Sequence, residues 1–182
     1  MGVIYIAGQS PGSGITAICA GLAKSLQRSG KKALRHKPLS FDKNDSDKDL
    51  ELIAHINGQE QLPAPTRTIS NGDLSPKIAA TIRDEINTLA KSGSTIVIHG
   101  LPIVNTEDAP TISAKLAHSL GASVIGVISD YAESLDLVKE AQREEFGSLL
   151  SGIISNANTR YKPDNEKTNF PHEQNCNQIP VL

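Results

Sequence analysis

The sequence predicts a single α/β domain, a mostly parallel sheet with helices on both faces, and three observations carry that expectation. Short β-branched runs alternate with segments of helical period along most of the chain. A glycine-rich turn joins the first apolar run to the first helical segment. The length of 182 residues, with 38% hydrophobic and 21% charged residues, suits one domain with a substantial core.

The elements follow in order. Val3-Ile4-Tyr5-Ile6-Ala7 is an apolar run of strand length, and residues 33–37, 95–99, 124–129 and 149–155 are the next strand candidates, with a sixth at residues 179–182. Residues 16–29 form the first helix, closed by Gly30, with Ile18, Leu22 and Leu26 on one face. Ser75-Pro76 pairs a cap with a first-turn proline and starts a second helix, whose inward positions are Ile78, Ile82, Ile86 and Leu89. A third helix after Asp108 aligns Ile112, Leu116 and Leu120, and a fourth runs from about Glu133 to Glu145. Residues 57–74, rich in Pro, Gly, Gln and Ser, are expected to be a surface excursion, and the polar, Asn-rich stretch 156–177 a loop.

Composition sets several classes aside. The formal net charge is -2 and the basic residues are scattered, so no basic stripe suggests nucleic acid as a partner. No apolar run has the length of a membrane span, and residues 1–3 lead straight into a strand with no leader pattern. Cys19 and Cys176 have neither metal-ligand spacing nor the density of a disulfide framework, so a cytoplasmic setting is expected. Cys19, in the helix after the glycine-rich turn, is expected to be a small core residue, and His36 a half-exposed residue at a strand end.

The turn itself is Gly8-Gln9-Ser10-Pro11-Gly12-Ser13-Gly14-Ile15-Thr16. A glycine-rich loop between strand and helix lets backbone N–H groups curl around phosphate; its Lys neutralises charge and its Ser/Thr hydroxyl meets Mg²⁺. Gly14 and Thr16 are in place, but Ile15 stands where the Lys belongs. The spacing of Gly8, Gly12 and Gly14 does not match the dinucleotide pattern, and Lys37-Pro38, not an acidic residue, closes the second strand. A plain strand-to-helix turn without a ligand is the competing reading. Asp45-x-Asp47-x-Asp49 begins like a calcium loop, but Leu50 replaces the Gly that loop requires and Ile56 its final Glu.

The loop, the helix after it and His36-Lys37-Pro38-Leu39 together resemble the dethiobiotin synthetase family of P-loop proteins, above all the dethiobiotin-synthetase-like N-terminal domain of longer phosphotransacetylase-type proteins. The likeness continues softly through Ile98-His99-Gly100-Leu101-Pro102 and Gly152-Ile153-Ile154-Ser155-Asn156. It implies that Gly8, Gln9, Ser10, Gly12, Ser13, Gly14, Ile15 and Thr16 wrap the phosphates of ATP and that Thr16 touches Mg²⁺. It further implies that Lys37 faces phosphates or substrate, that Asn156 reads adenine, and that Asp49, with Asp47 second, is a metal ligand. Read without the resemblance, these aspartates are equally a solvated loop leading into a helix.

Two departures shape the expected function. Ile15 cannot donate to phosphate, which at roughly 1.5–3 kcal/mol for a charge-assisted bond weakens binding about ten- to a hundredfold. His99 replaces the family's metal-binding Glu, and imidazole is a poor ligand for Mg²⁺. Phosphoryl transfer depends on positioning and charge neutralisation, so rate suffers more than affinity. The expectation is a degenerate phosphate-loop domain that binds ATP or another phosphorylated small molecule weakly and serves a regulatory or scaffolding role. Two alternatives stand beside it: an ATP-dependent carboxylate-amine ligase using Lys37 in place of the loop Lys, and an interaction domain with an empty pocket. The single domain, residues 1–182, is expected to be the N-terminal part of a longer protein with a C-terminal partner domain. An uncovered edge at residues 179–182 would invite a homodimer.

Overall fold

The computed structural model describes residues 2–9, 12–40, 67–68, 74–102, 109–129 and 135–156. Strand β1 (Val3–Gly8) leads into α1 (Ile15–Arg28), then β2 (Ala33–His36) and a short β3 (Leu39–Ser40). After β4 (Arg67–Thr68) come α2 (Pro76–Ala90), β5 (Thr95–Pro102), α3 (Ala109–Leu120), β6 (Ser123–Ser129), α4 (Leu135–Phe146), a 3-10 turn at Gly147–Leu149 and β7 (Leu150–Asn156). The main sheet has the order β2-β5-β1-β6-β7, and every pair in it is parallel. This is the expected α/β architecture.

Local sequence explains the helix boundaries. Gly14 enters α1 at a φ of 94°, a conformation that costs a residue with a Cβ but not glycine, and Gly30 leaves the helix region at 80°. Ser75 accepts a hydrogen bond from the Ile78 N–H at 3.3 Å while Pro76 fills the first turn, where no partner for a proline nitrogen is needed. Within α1, Ile15, Cys19 and Ala23 recur at intervals of four and are all buried, so one stripe of the helix meets the sheet.

Alternation along the strands separates two cores. Tyr5, Ile96, Ile98 and Val124 face α2, α3 and α4, where they meet Ile82, Ile86, Ile112, Leu116 and Phe146. Ile6, Val97 and Val127 face α1 and pack with Ile15, Cys19, Ala23 and Ala33. Each fully buried Ile, Leu or Phe stabilises by roughly 1.5–3 kcal/mol, so the three-helix face carries most of the hydrophobic stabilisation.

One expectation needs correction and another lies mostly outside the described residues. Of residues 57–74 only 67, 68 and 74 are described: Arg67 and Thr68 pair in parallel with Leu39 and Ser40, and Leu74 is buried in the core. A two-residue strand is too short to show a period. His36 is buried, not half-exposed, because strand alternation turns it toward α2; burial lowers its pKa, opposed by the nearby Glu85 carboxylate. Ser10, Asp47, Asp49, the loop expected after Asn156 and the strand expected at residues 179–182 lie outside the described residues.

Candidate phosphate-binding site

The sheet order reverses at β1, with β5 and β2 on one side and β6 and β7 on the other. In an open α/β sheet the carboxyl end of that strand is where a ligand crevice forms. Residues 8–9 and 12–16 of the loop lie there, and the first residue beyond β1 is tied down by a 2.8 Å bond from the Gln9 N–H to the Val127 carbonyl of β6.

Two long-range bonds close the site around the loop. The Asn156 side-chain amide, at the end of β7, donates to the Ser13 carbonyl at 2.9 Å. Its nitrogen also crowds the place where a Cβ on Gly14 would fall, so a side chain there would have to displace the Asn156 amide, and the positive φ favours glycine as well. On the opposite flank, Thr16 Oγ1 lies 3.2 Å from Nε2 of His99, a buried residue of β5. His99 Nδ1 faces the Gly100 carbonyl at 3.1 Å, and a carbonyl can only accept, so Nδ1 carries the proton. In the neutral ring Nε2 is then the acceptor, and the Thr16 hydroxyl donates to it.

The interior of the loop is filled from below. Ile15, 6% exposed, turns into the α1 core and lies against Gly8, where any Cβ would collide with it and with Ser13 Oγ. The residue at the lysine position is thus a core side chain. Ser13 is 1% exposed, and among the described residues its hydroxyl has no hydrogen-bond partner; the side-chain oxygen of Gln9 is likewise buried with no partner among them. Buried polar atoms are normally satisfied, so an orphan hydroxyl inside a phosphate-type loop fits an anion or water at that point. Gly14, the cap of α1, offers no side chain to close the helix N-terminus, whose first N–H groups and dipole favour negative charge.

A phosphate group therefore fits the residues present: Ser13, the backbone of Gly12 to Thr16 and the start of α1 would hold it. Magnesium fits poorly. Thr16 supplies one hydroxyl, and the side chain beside it is an imidazole nitrogen where a hard cation prefers carboxylate oxygen. Among the described residues no group of three or more His, Cys, Asp or Glu could hold a metal ion.

Lys37 is buried at the same end of the sheet, just past β2. β5 stands between β2 and β1, which places Lys37 roughly 10 Å from the β1 line by ordinary strand spacing. Burial pushes the Cys19 thiol up to about 12, so it is a protonated core group, not a nucleophile, despite its place below the loop. The Thr16–His99 and Ser13–Asn156 contacts span 83 and 143 residues of chain. No local pattern reveals either bond. No helix among the described residues is long and apolar enough to cross a membrane.

Comparison with known proteins agrees with this geometry. The chain is 27% identical to a phosphate acetyltransferase of Deinococcus radiodurans across 86% of its own length, and spans about a quarter, 24%, of that relative. Among solved structures, the cell division protein FtsY of Thermotoga maritima superposes with a TM-score of 0.61 at 21% identity, covering 85% of this chain and 52% of that one. The signal recognition particle 54 kDa protein of Aeropyrum pernix, solved in complex with GDP, gives 0.61 at 17% identity, over 86% of this chain and 35% of that one. The tyrosine kinase domain of BceF gives 0.55 at 20%, over 84% and 67%. These likenesses fix the fold as that of the P-loop NTPases. A family model for an AAA domain matches residues 3–175, almost the whole chain, and the protein belongs to that AAA domain family.

Proposed function

We propose that this domain binds a phosphorylated small molecule, ATP among them, in the Gly8 to Thr16 cradle without efficient turnover, and acts as a regulatory or scaffolding part of a longer protein. The observation that carries the reading is the buried Ser13 hydroxyl, without a partner among the described residues, in a loop whose lysine position is occupied by a core isoleucine. The cradle for an anion is built, and the cation that would drive transfer is replaced by packing. Similarity to a quarter of a phosphate acetyltransferase supports a place beside a C-terminal partner domain, and the motifs through Lys37-Pro38 and Asn156 support the dethiobiotin-synthetase-like branch.

Calorimetric titration with ATP, ADP and inorganic phosphate, run beside an ATP-turnover assay, tests it. Weak binding with negligible turnover is expected, and Ile15→Lys should tighten binding about ten- to a hundredfold, the worth of one charge-assisted bond. Rapid turnover that Lys37→Ala abolishes would replace this reading with a ligase. Absence of binding by every anion, in the wild type and in Ile15→Lys, would leave an interaction domain with an empty pocket.

A further inference from the structure

The strongest unexplained contact is the pairing of Thr16 with His99. In a metal-dependent phosphate loop the Thr hydroxyl meets Mg²⁺, and nearby carboxylate oxygen helps to hold the hydrated ion. Here the hydroxyl is bonded to a buried imidazole held in turn by the Gly100 carbonyl, so its orientation is fixed by protein alone. Imidazole brings no negative charge to attract Mg²⁺, and its nitrogen donors suit softer transition metals. Two features that suit an anion nevertheless remain: the Ser13 hydroxyl is 1% exposed with no partner among the described residues, and α1 begins at a glycine cap.

We propose that the loop takes a free, uncomplexed phosphate-type anion, and that His99 is the positioning residue that holds Thr16 where a magnesium ion would otherwise fix it. This rests on the reading of the loop as a phosphate cradle. The consequence is a preference opposite to that of an ordinary nucleotide-hydrolysing site. The metal complex of a di- or triphosphate is the wrong species, because its cation would meet the imidazole and its shielded oxygens would offer less charge to the backbone N–H groups. A ligand whose phosphate is not chelated by metal, such as a phosphomonoester or an acyl phosphate, matches the site better than a magnesium nucleotide.

The test uses inorganic pyrophosphate as the probe, titrated into the protein once with a chelator present and once with saturating Mg²⁺. Affinity should be equal or lower with Mg²⁺. Affinity about tenfold higher with Mg²⁺ would overturn the proposal and leave the phosphate cradle standing; no binding in either buffer would overturn the cradle itself and this inference with it. His99→Glu restores a carboxylate beside Thr16 and should reverse the preference, so that Mg²⁺ now tightens pyrophosphate binding. His99→Gln keeps an acceptor for the Thr16 hydroxyl without charge, and in it Mg²⁺ should again give no tightening of pyrophosphate binding. A folded His99→Glu protein whose pyrophosphate affinity ignores Mg²⁺ would show that residue 99 does not set the metal preference. If that variant does not fold, a His99→Gln protein that acquires Mg²⁺-enhanced binding would overturn the assignment equally.

Discussion

On the face covered by α2, α3 and α4 the sheet presents Tyr5, Ile96, Ile98 and Val124, all fully buried against three helices. On the other face Ile6, Val97 and Val127 meet one helix through Ile15, Cys19 and Ala23, side chains of which two are small. The large core holds the sheet together, while the small core sits directly beneath the phosphate loop. Stability and ligand binding are thereby assigned to different faces of the sheet. A change deep in the three-helix face should act on the whole fold, whereas a change at the α1 end should act on the loop first.

Ile98→Ala offers the largest expected effect. It removes a fully buried side chain from the large core and should cost about 2–5 kcal/mol, read as a lower denaturation midpoint. Anion affinity, measured where the variant is still folded, should be nearly unchanged; a large loss of affinity would break the separation of the two faces. Gly14→Ala should show the opposite profile. Its Cβ forces a strained backbone and displaces the Asn156 amide, for a loss of about 1–3 kcal/mol, with anion binding falling more steeply than stability. Equal binding by that variant and the wild type would detach the loop geometry from the site.

The smallest expected effect comes from an acidic side chain of α4, on the large face, which is not wholly apolar. Half-burial pushes the Glu145 carboxyl from its ordinary 4.5 up to about 7, and one of its oxygens is buried with no partner among the described residues. Its folded pKa lies above the unfolded value, so the stabilising contribution is complete below about 4.5 and is lost as pH rises through about 7. The wild type should therefore lose more stability than Glu145→Gln between roughly pH 5 and pH 8, measured by thermal melts. A parallel pH dependence in both proteins would remove Glu145 from the account.

How much of this was legible in the sequence depends on the range of each interaction. The α2 helix could be read from Ser75-Pro76 and the four-residue rhythm of Ile78, Ile82 and Ile86, because cap chemistry and period are local. The strands of the main sheet were legible as apolar runs, although β5 extends to Pro102, beyond its apolar stretch. The pairing of β3 with β4 was not legible, since two residues carry no alternation. At the site, the loop and both departures, Ile15 and His99, stood out by residue type. Their physical roles did not: Ile15 could be read only as a missing donor, and its packing against Gly8 and the α1 core is a tertiary fact. The bond between Thr16 and His99 joins two positions that the chain alone leaves unconnected.

The packing of Ile15 also has an evolutionary consequence. A lysine at this position would have to leave the small core it now fills and expose or void the space beside Ile6 and Val127, at a cost of about 1–3 kcal/mol, before any benefit from charge is realised. A single step toward a charged loop therefore passes through a less stable protein. The isoleucine is entrenched to that extent: what Ile15→Lys gains in anion affinity it offsets in stability, unless a second change in the α1 core refills the vacated space.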